Sequence, residues 1–434
     1  MDRTVLYNNT VALRRDLHKH PETAWREFRT ASIVVDRLRR LGYRVSFGRD
    51  VIDDASRVGV PTAEVLRQAA ERAIAEGADP ELVRQMEGGF TGVVGELPMG
   101  AKGSGPTVAV RFDMDAIAQA EAEDPAHRPY AEGFSSVHPG EMHACGHDGH
   151  VAIGLALAQM LREESVPACG KVKLIFQPAE ECVQGGLPMA KAGCVDDVDY
   201  FIAGHIGLAA NQTGLIAAGT TGIQATSRFD AVFKGASSHA GAKPEEGKNA
   251  LLAAAAAVLA VNAIPRHSKG ATRVNVGAIR GGTARNIVCD WVSLEMETRG
   301  ATTELNEFMR ERAYMALRGA AAMQGVELQI VPQGESLSAE SSDVLARRVV
   351  NMVRGEPGVV RVEELMDFGA AEDATYFMRR VTERGGQATY MLWGARLSAG
   401  HHSRYFDFDE AVLCVAPAVL FRVVTGLLAE RQGR

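Results

Sequence analysis

Three short segments of the sequence bring together side chains that bind transition metals and move protons. Residues 143–150 read His-Ala-Cys-Gly-His-Asp-Gly-His and include Cys145 and His147. Residues 177–181 end in Glu180 and Glu181, and an isolated His205 closes a later apolar run. Thiolate, imidazole and carboxylate groups are the ligands of transition-metal sites, and a carboxylate also transfers protons. The three segments together predict a metal-dependent hydrolase.

Each segment also has a purely structural interpretation. A free cysteine is often a small buried apolar residue, and two carboxylates after a strand are typical of a solvated helix start. A single histidine such as His205 is more often a half-buried residue with satisfied hydrogen bonds than a metal ligand. A structural zinc site needs paired ligand clips and has no use for a spare carboxylate such as Glu180. The combination of segments therefore favours a catalytic metal site.

The two adjacent carboxylates can have different catalytic roles. We interpret Glu181 as a metal ligand and Glu180 as the general base, which takes a proton from the attacking water and gives it to the leaving amine. Asp115 would orient the imidazole of a ligand histidine by accepting a hydrogen bond from the ring nitrogen that does not bind metal. The polar loop 400–403, Gly-His-His-Ser, offers one more histidine between a strand and a helix.

The predicted elements place these groups at one edge of a sheet. Strands are predicted at 107–112, 172–176 and 200–203, with a helix at 151–164 between the first two, and this alternation favours an α/β fold. Asp115, Glu180 and His205 each follow the end of one of these strands. Ligands of α/β sheets gather beyond the carboxyl ends of the strands, so we expect the groups to meet there.

The pattern changes near residue 222. Strand, helix, strand, strand, helix and strand follow one another between about 228 and 331, which is the ferredoxin-like βαββαβ order. We therefore predict a discontinuous, mixed-sheet, metallopeptidase-like catalytic domain at 1–221 and 334–434, and an inserted domain at 222–333. A helical insertion, residues 53–87, is predicted as two short helices broken at Pro61 and near Pro80.

Composition indicates a cytoplasmic enzyme. The chain has 434 residues and is 46% hydrophobic, which is enough for two domain cores, and its net charge of −7 gives no surface for nucleic acid or an anionic membrane. The first ten residues lack a signal-peptide pattern. The longest apolar stretch identified, 250–263, is too short to span a membrane. The six scattered cysteines suit a reducing compartment.

Seven motifs in order resemble the dinuclear-metal amidohydrolases, which include aminoacylases, hippurate hydrolases and auxin-conjugate hydrolases. The motifs are Arg111–Ala116, Met142–Asp148, Gln177–Glu181, Ser238–Ala240, Asn286–Val288, Glu372–Asp373 and His401–Ser403. The resemblance implies two divalent metal ions, and thiolate ligation favours zinc while the family also allows manganese. It implies that the ligands are Cys145, His147, Glu181, His205 and the last-motif histidine, which aligns with His402 better than with His401. Glu180 is the implied base.

Within that family the sequence is most similar to the p-aminobenzoyl-glutamate hydrolases, which implies an N-acyl amino acid substrate of this kind. His239 resembles the family histidine that reaches into a partner's active site and polarises the scissile carbonyl, and Asn286 resembles a residue that holds the substrate nearby. The inserted domain is then a lid and dimerisation domain. We expect Arg285 and Arg299 to bind the glutamate carboxylates, because the guanidinium group forms a bidentate fork.

Two alternatives to this function remain open. Within the same class, the enzyme is a broad aminoacylase or hippurate-type hydrolase. In a different class, the chain is a non-catalytic subunit that docks onto an active homologous sister chain; a degenerate subunit usually loses ligands, and this chain keeps every one. We expect a homodimer, and the second possibility is activity only together with a homologous sister subunit. Neither nucleic acid nor membrane is expected as a partner.

Overall fold

The computed structural model describes residues 2–100, 105–164 and 169–429. The chain forms two compact units. The first comprises the described parts of Met1–Thr221, Glu340–Phe368 and Asp373–Arg434, and the second comprises Gly222–Ala339 and Gly369–Glu372. The ends of the first predicted domain, residue 1 and residues 430–434, lie outside the described residues.

Helices and strands follow one another along the chain through both units. The helices are α1 (Arg3–Lys19), α2 (Phe28–Arg40), α3 (Ala63–Ala75), α4 (Pro80–Gln85), α5 (Arg128–Ala131), α6 (His147–Glu163), α7 (Gly186–Lys191), α8 (Ala250–Asn262), α9 (Thr303–Gln324), α10 (Asp343–Val353), α11 (Thr375–Glu383) and α12 (Val412–Ala429). The strands are β1 (Arg44–Phe47), β2 (Val93–Met99), β3 (Thr107–Asp113), β4 (Gly170–Gln177), β5 (Tyr200–Ile206), β6 (Leu215–Ala217), β7 (Thr220–Thr221), β8 (Ala225–Lys234), β9 (Thr272–Gly281), β10 (Trp291–Gly300), β11 (Glu327–Ser336), β12 (Arg361–Glu363), β13 (Met366–Asp367) and β14 (Gln387–Trp393).

An eight-stranded mixed sheet forms the centre of the first unit, in the order β1-β2-β4-β3-β5-β14-β6-β12. The central strands β4, β3, β5 and β14 run parallel, whereas β1 and β2 join the sheet antiparallel. Every residue of β3 is buried, as expected for a parallel strand covered on both faces. The predicted α/β class with a mixed sheet is confirmed, and the carboxyl ends of four neighbouring strands share one edge.

Helix α6 lies against this sheet and is buried along almost its whole length. Its residues 147–163 are apolar except at the N-terminal turn, which carries the polar cluster of the 143–150 segment, and near its C-terminal end. Two glycines permit the close approach. A Cβ atom added at Gly149 would lie 2.7 Å from side-chain atoms of Ile206 and Phe408, and one added at Gly154 would lie 2.7 Å from the ring of Phe112.

Helix α12 corrects one sequence interpretation. Its 18 residues form an apolar stretch longer than 250–263, and by length and composition alone it is able to cross a membrane. In the structure 67% of the helix is buried within the chain, and it packs against α6, α10 and β3. A helix that is apolar all round and covered by its neighbours is typical of a protein core.

The second unit has the element order β8-α8-β9-β10-α9-β11 and a four-stranded antiparallel sheet in the order β11-β8-β10-β9. Its own core includes Phe229, Phe233, Leu294 and Leu317 together with the alanines of α8. The predicted boundary at residue 333 falls inside β11, and the compact unit continues to Ala339. The second unit extends beyond residue 333 because the final residues of β11, up to Ser336, still pair with β8.

The insertion at 53–87 contains two helices, as predicted. Thr62 caps α3 by accepting a hydrogen bond from the backbone of Val65, and Asp79 caps α4 in the same way, with Pro80 in its first turn. Both caps satisfy backbone N–H groups that have no partner inside a helix. The proline positions therefore mark helix starts.

The space around two helical glycines predicts that replacing each by alanine changes the free energy of unfolding in opposite directions. Gly154→Ala places a methyl group against the rings of Phe112 and Phe176, and we expect it to lower the free energy of unfolding by about 1–3 kcal/mol. Gly319→Ala, in α9, meets nothing within 4 Å and should raise that free energy by about 0.5–1 kcal/mol. Urea denaturation followed by circular dichroism measures both, and equal effects would contradict tight packing at Gly154.

Candidate metal centre

The carboxyl ends of β3, β4 and β5 bring the predicted groups together. Asp115 follows β3, the pair Glu180 and Glu181 follows β4, and His205 lies at the end of β5. His147 is the first residue of α6, which packs across these strands. Since parallel neighbours end at the same edge of the sheet, residues far apart in the sequence meet there.

Potential ligand atoms lie within 4.8 Å of one another in overlapping groups. One group is Cys145, His147 and His205, a second is Cys145, Glu181 and His402, and a third is His147, Glu180 and Glu181. The Sγ atom of Cys145 lies 3.3 Å from Nε2 of His205, and Nε2 of His402 lies 3.3 Å from Oε2 of Glu181. All five residues that the family resemblance implies as ligands are therefore clustered.

In each of two histidines, a hydrogen bond to one ring nitrogen turns the other ring nitrogen toward the cluster. Nδ1 of His147 lies 2.9 Å from the backbone oxygen of Asp115, and Nδ1 of His205 lies 2.8 Å from that of Ile206. A carbonyl only accepts, so each Nδ1 carries a proton, and in the neutral ring each Nε2 offers its lone pair to a metal. Among the described residues, the buried Nε2 of His147 has no hydrogen-bond partner.

The last motif uses its two histidines differently. His402 has a positive φ of 63°, a backbone conformation that a non-glycine residue adopts only under local constraint. Its backbone N–H donates to the oxygen of Ala144, 2.8 Å away, next to Cys145. His401 points elsewhere, with Nε2 at 3.1 Å from the backbone oxygen of Ile206. The geometry favours His402 as the ligand.

The turn that carries the two glutamates is held by two other carboxylates. Asp115 accepts hydrogen bonds from the backbone N–H groups of Glu180 and Glu181, at 2.9 and 3.0 Å. Glu27 accepts one from Ala179, at 2.9 Å, and Ala179 has a φ of 56°. Strained backbone of this kind persists where its surroundings over-determine it. Asp115 thus fixes both the glutamates and, through its backbone oxygen, His147.

The electrostatics of the cluster favour a bound cation. Burial and then the charges of Glu181 and Glu180 raise the pKa of the Cys145 thiol well above its ordinary value. Burial alone would lower the pKa of His147, but nearby carboxylates, Asp113 first, raise it to about 10. Such surplus negative potential in a buried site is neutralised by a metal ion, which also ionises a thiol. The donor set therefore fits divalent metal ions.

The sequence did not predict the roles of several supporting residues. His150 donates from Nδ1 to Asp113, 2.5 Å away, and accepts at Nε2 from the backbone of Ile206, so both of its nitrogens are engaged. Its spacing of three residues from His147 on α6 was the one available clue. Arg111 binds the other oxygen of Asp113, at 2.6 Å. Burial raises the pKa of Asp113, but His147 first, and then His150 and Arg111, lower it well below its usual range.

A buried arginine ties the metal-centre segments to α1. The side chain of Arg14 is fully buried and lies 2.8 Å from Asp148, at the start of α6, and 2.9 Å from Asp407, beyond the last motif. Glu410 lies 3.3 Å from the same guanidinium group. Helix α1 is far away in the sequence, and nothing local to it predicts this role.

The residues predicted in the second unit form a separate group. The backbone N–H of Ala240 donates to the oxygen of Asn286, and His239 pairs with Ile287 across a β-bridge. Nδ1 of the exposed His239 accepts from the backbone of Gly241 and Ala242, at 3.2 and 3.0 Å. The proton of a neutral His239 ring therefore lies on Nε2, which is free to donate.

The two predicted arginines lie at different ends of this unit. Arg285 is exposed and adjoins Asn286. Strand β10 begins at Trp291, shortly after Asn286 in the chain. Arg299 lies eight residues farther along this strand, which is about 27 Å when the strand is extended. Its side chain pairs with Glu297 at 3.0 Å. The structure therefore brings Arg285, but not Arg299, near His239 and Asn286.

Comparisons with known proteins identify the family to which the chain is similar. Residues 109–425 match the model of peptidase family M20/M25/M40. The chain is 47% identical over 408 residues to the indole-3-acetyl-aspartic acid hydrolase of Enterobacter agglomerans, covering 94% of this chain and 93% of that protein. It is 46% identical over 410 residues to one of the subunits of the p-aminobenzoyl-glutamate hydrolase of Escherichia coli K12, with the same coverage.

Solved structures show the same fold. An aminobenzoyl-glutamate utilization protein from Klebsiella pneumoniae superimposes with a TM-score of 0.84 at 40% identity, covering 98% of this chain and 97% of that one. A dinuclear metal-binding peptidase of family M20 from Bacillus subtilis has a TM-score of 0.66 at 21% identity, with 98% and 99% coverage. The second likeness is evidence for the fold alone.

The geometry predicts different losses from the two adjacent glutamates. Glu181→Gln removes a charged ligand candidate, and we expect metal affinity to fall by at least about tenfold. Glu180→Gln should keep metal at the wild-type stoichiometry. Metal content after exhaustive dialysis, measured by mass spectrometry, compares the two variants. Equal losses of metal in both would contradict the division of roles.

Proposed function

Because the chain belongs to peptidase family M20/M25/M40, we propose that it hydrolyses the amide bond between an aromatic acyl group and an acidic amino acid. The resemblance seen in the sequence and the metal-dependent amidohydrolase class are confirmed by this membership. The observation that carries the substrate is the pair of relatives at 46–47% identity, which are named for p-aminobenzoyl-glutamate and indole-3-acetyl-aspartate. Our best single candidate is p-aminobenzoyl-glutamate.

Two divalent metal ions, manganese or zinc, would be held by Cys145, His147, Glu181, His205 and His402. When bound, such ions polarise the amide carbonyl and lower the pKa of water. Two observations support the pair: the overlapping groups of donor atoms share Cys145, His147 and Glu181, and the buried Nε2 of His147 lacks a partner among the described residues.

Glu180 is the proposed general base. Its carboxylate takes a proton from the attacking water and delivers it to the amide nitrogen as the C–N bond breaks, which releases the acyl group as a carboxylic acid. The side chain of Glu180 lies 3.9 Å from Nε2 of His147, and its backbone is fixed by Asp115. The base is therefore adjacent to the ligand cluster.

We propose that the second unit is a ferredoxin-like lid and dimerisation domain. Its βαββαβ element order and antiparallel strand order support this. Large apolar side chains are exposed on its helix α8, among them Leu259 at 75%, and exposed apolar groups of this kind mark interaction surfaces. A homodimer through this unit would cover them. So would a complex with a homologous sister subunit, and the name of the E. coli relative describes that protein as one subunit of its enzyme.

His239 and Asn286 are proposed to act on the substrate carbonyl in the partner's site. The Nε2–H of His239 is the kind of donor that stabilises a developing oxyanion. Arg285 is the better candidate to bind a substrate carboxylate, because Arg299 is engaged by Glu297 and lies at the far end of its strand.

We propose that the enzyme works in the cytoplasm. Among the described residues all six cysteines are free, which suits a reducing compartment. The apolar helix α12 is mostly buried.

The substrate proposal is tested with the purified chain after chelation and re-addition of manganese or zinc. We expect metal-dependent release of p-aminobenzoate from p-aminobenzoyl-glutamate, and no release with Glu180→Gln. The matched substrate p-aminobenzoyl-glutamine lacks only the side-chain charge, and its kcat/KM should fall at least about tenfold.

The other outcomes select the alternatives. Equal rates with hippurate, N-acetyl amino acids and the glutamate conjugate would identify a broad aminoacylase. Faster cleavage of indole-3-acetyl-aspartate would identify that conjugate as the substrate. A metal-loaded chain that hydrolyses none of these alone, but does so with its sister subunit, would contradict activity of the chain by itself.

The role of His239 across a dimer is tested by mixing two inactive variants. Glu180→Gln and His239→Ala dimers should each lack activity. After reversible dissociation and reassociation, half of the dimers contain one chain of each kind, and one of the two sites in these has both an intact Glu180 and an intact partner His239. We expect about a quarter of the wild-type rate, since sites act independently in this scheme. No recovery in confirmed mixed dimers would contradict action in trans.

A further inference from the structure

A cleft of about 540 Å³ lies in the first unit, away from the metal centre. The inserted helices α3 and α4 and the segments that flank them form its walls together with Phe28 of α2. Its lining is mainly apolar and includes Leu66, Ile74, Val83 and Phe90. Clefts of this size hold small organic ligands, and the function proposed above leaves this one unused.

A buried arginine with an unused donor lines the cleft. The side chain of Arg57 is 3% exposed, and its guanidinium carbon lies 4.0 Å from the ring centre of Phe90 and 4.6 Å from that of Trp25. Two of its nitrogens contact the oxygen of Gly88, at 2.6 Å, and Asp54, at 3.4 Å. Its Nε has no hydrogen-bond partner among the described residues. A buried N–H without a partner is costly, so the charge of Arg57 is incompletely solvated within the protein.

A second arginine lies on the same aromatic ring. The guanidinium carbon of Arg49 is 3.9 Å from the centre of Phe90, and its side chain is 65% exposed. Arg49 and Arg57 share a single carboxylate, Asp54, at 3.5 and 3.4 Å. The exposed Glu87 also lines the cleft, as do Arg67 and Arg84, which pair with glutamates of their own helices. The stack of two cations on Phe90 is thus only partly neutralised.

We propose that this cleft binds a monocarboxylate with an aromatic or other apolar body. The carboxylate would satisfy the arginines at Phe90, where a charge-assisted hydrogen bond is strong, and the body would lie on the apolar walls of α2, α3 and α4. The inference rests on the cleft alone and stands whether or not the proposed substrate is correct.

The cleft wall is linked to the metal centre. Trp25, which stacks on Arg57, donates its backbone N–H to Glu27, at 3.1 Å, and Glu27 also accepts from Ala179 beside the catalytic turn. The indole N–H of Trp25 donates to Gln184, at 2.9 Å. A ligand on Arg57 therefore changes the surroundings of Trp25, which makes its fluorescence a direct reporter.

The test uses 4-phenylbutyrate as the probe and its neutral analogue 4-phenylbutyramide as the matched control. Binding to the full-length, metal-loaded chain is measured by calorimetry and by tryptophan emission excited at a wavelength that the probe does not absorb. We expect 4-phenylbutyrate to bind at least about tenfold more tightly than the amide. The same binding should persist after chelation, whereas binding at the metal centre is lost. The emission change should be absent in Trp25→Phe.

Charge variants of the cleft give the decisive comparison. Arg49→Gln should weaken binding and Glu87→Gln should strengthen it, each by several-fold, and Ala70→Trp should block the cleft. Arg44→Gln, with an 80% exposed side chain on β1, is the control and should leave binding unchanged. These exposed or lining positions avoid the buried Arg57, whose replacement risks misfolding.

Three results would overturn the proposal. The first is an affinity weaker than about 10 mM for the carboxylate in the wild-type chain. The second is binding that disappears with the metal or ignores the cleft variants, which would place the probe at the metal centre. The third is a change of oligomeric state in Ala70→Trp, measured by sedimentation, which would identify the cleft as a contact with a second copy of the chain.

Discussion

The geometry of the metal centre depends on how one turn is held in place. Residues 179–181 leave β4 with a left-handed alanine, and three consecutive backbone N–H groups point to two buried carboxylates. Glu27 accepts the first, and Asp115 accepts the next two. Because hydrogen bonds to carboxylates are strong in a buried setting, the turn has little freedom. The proposed base and ligand are thereby aimed at the same point from adjacent positions.

Collecting so many carboxylates in one place is unfavourable without opposite charge. Asp113 is paired with Arg111 and accepts a hydrogen bond from His150, and Asp148 is paired with Arg14, all of them buried. The ligand cluster itself keeps an excess of acidic groups around Cys145 and His147. That residual imbalance is what a divalent cation corrects, so the same charge distribution that costs folding free energy also favours metal binding.

The insertion and the second unit each carry groups that we propose for recognition. The exposed donor on His239 and the neighbouring Asn286 and Arg285 form one group on the second unit. The insertion places two arginines on Phe90 and contacts the first unit through Trp25. Both features involve residues outside the ligand cluster, so the proposed recognition groups and the proposed metal ligands are separate sets of side chains.

The sequence by itself determined the class of chemistry and the alternation of strand and helix, because these depend on local residue types and on short spacing, and its resemblance to a known family supplied the five ligand candidates and the proposed base. It placed the two insertion helices through the breaks at Pro61 and near Pro80, and it misjudged α12, whose apolar length was overlooked. It did not predict the roles of Glu27, Arg14 and His150, or the separation of Arg299 from Asn286. Those contacts join segments that are distant in the chain, and only the order of strands in the sheet and the packing of α1 and α6 decide which distant charges meet.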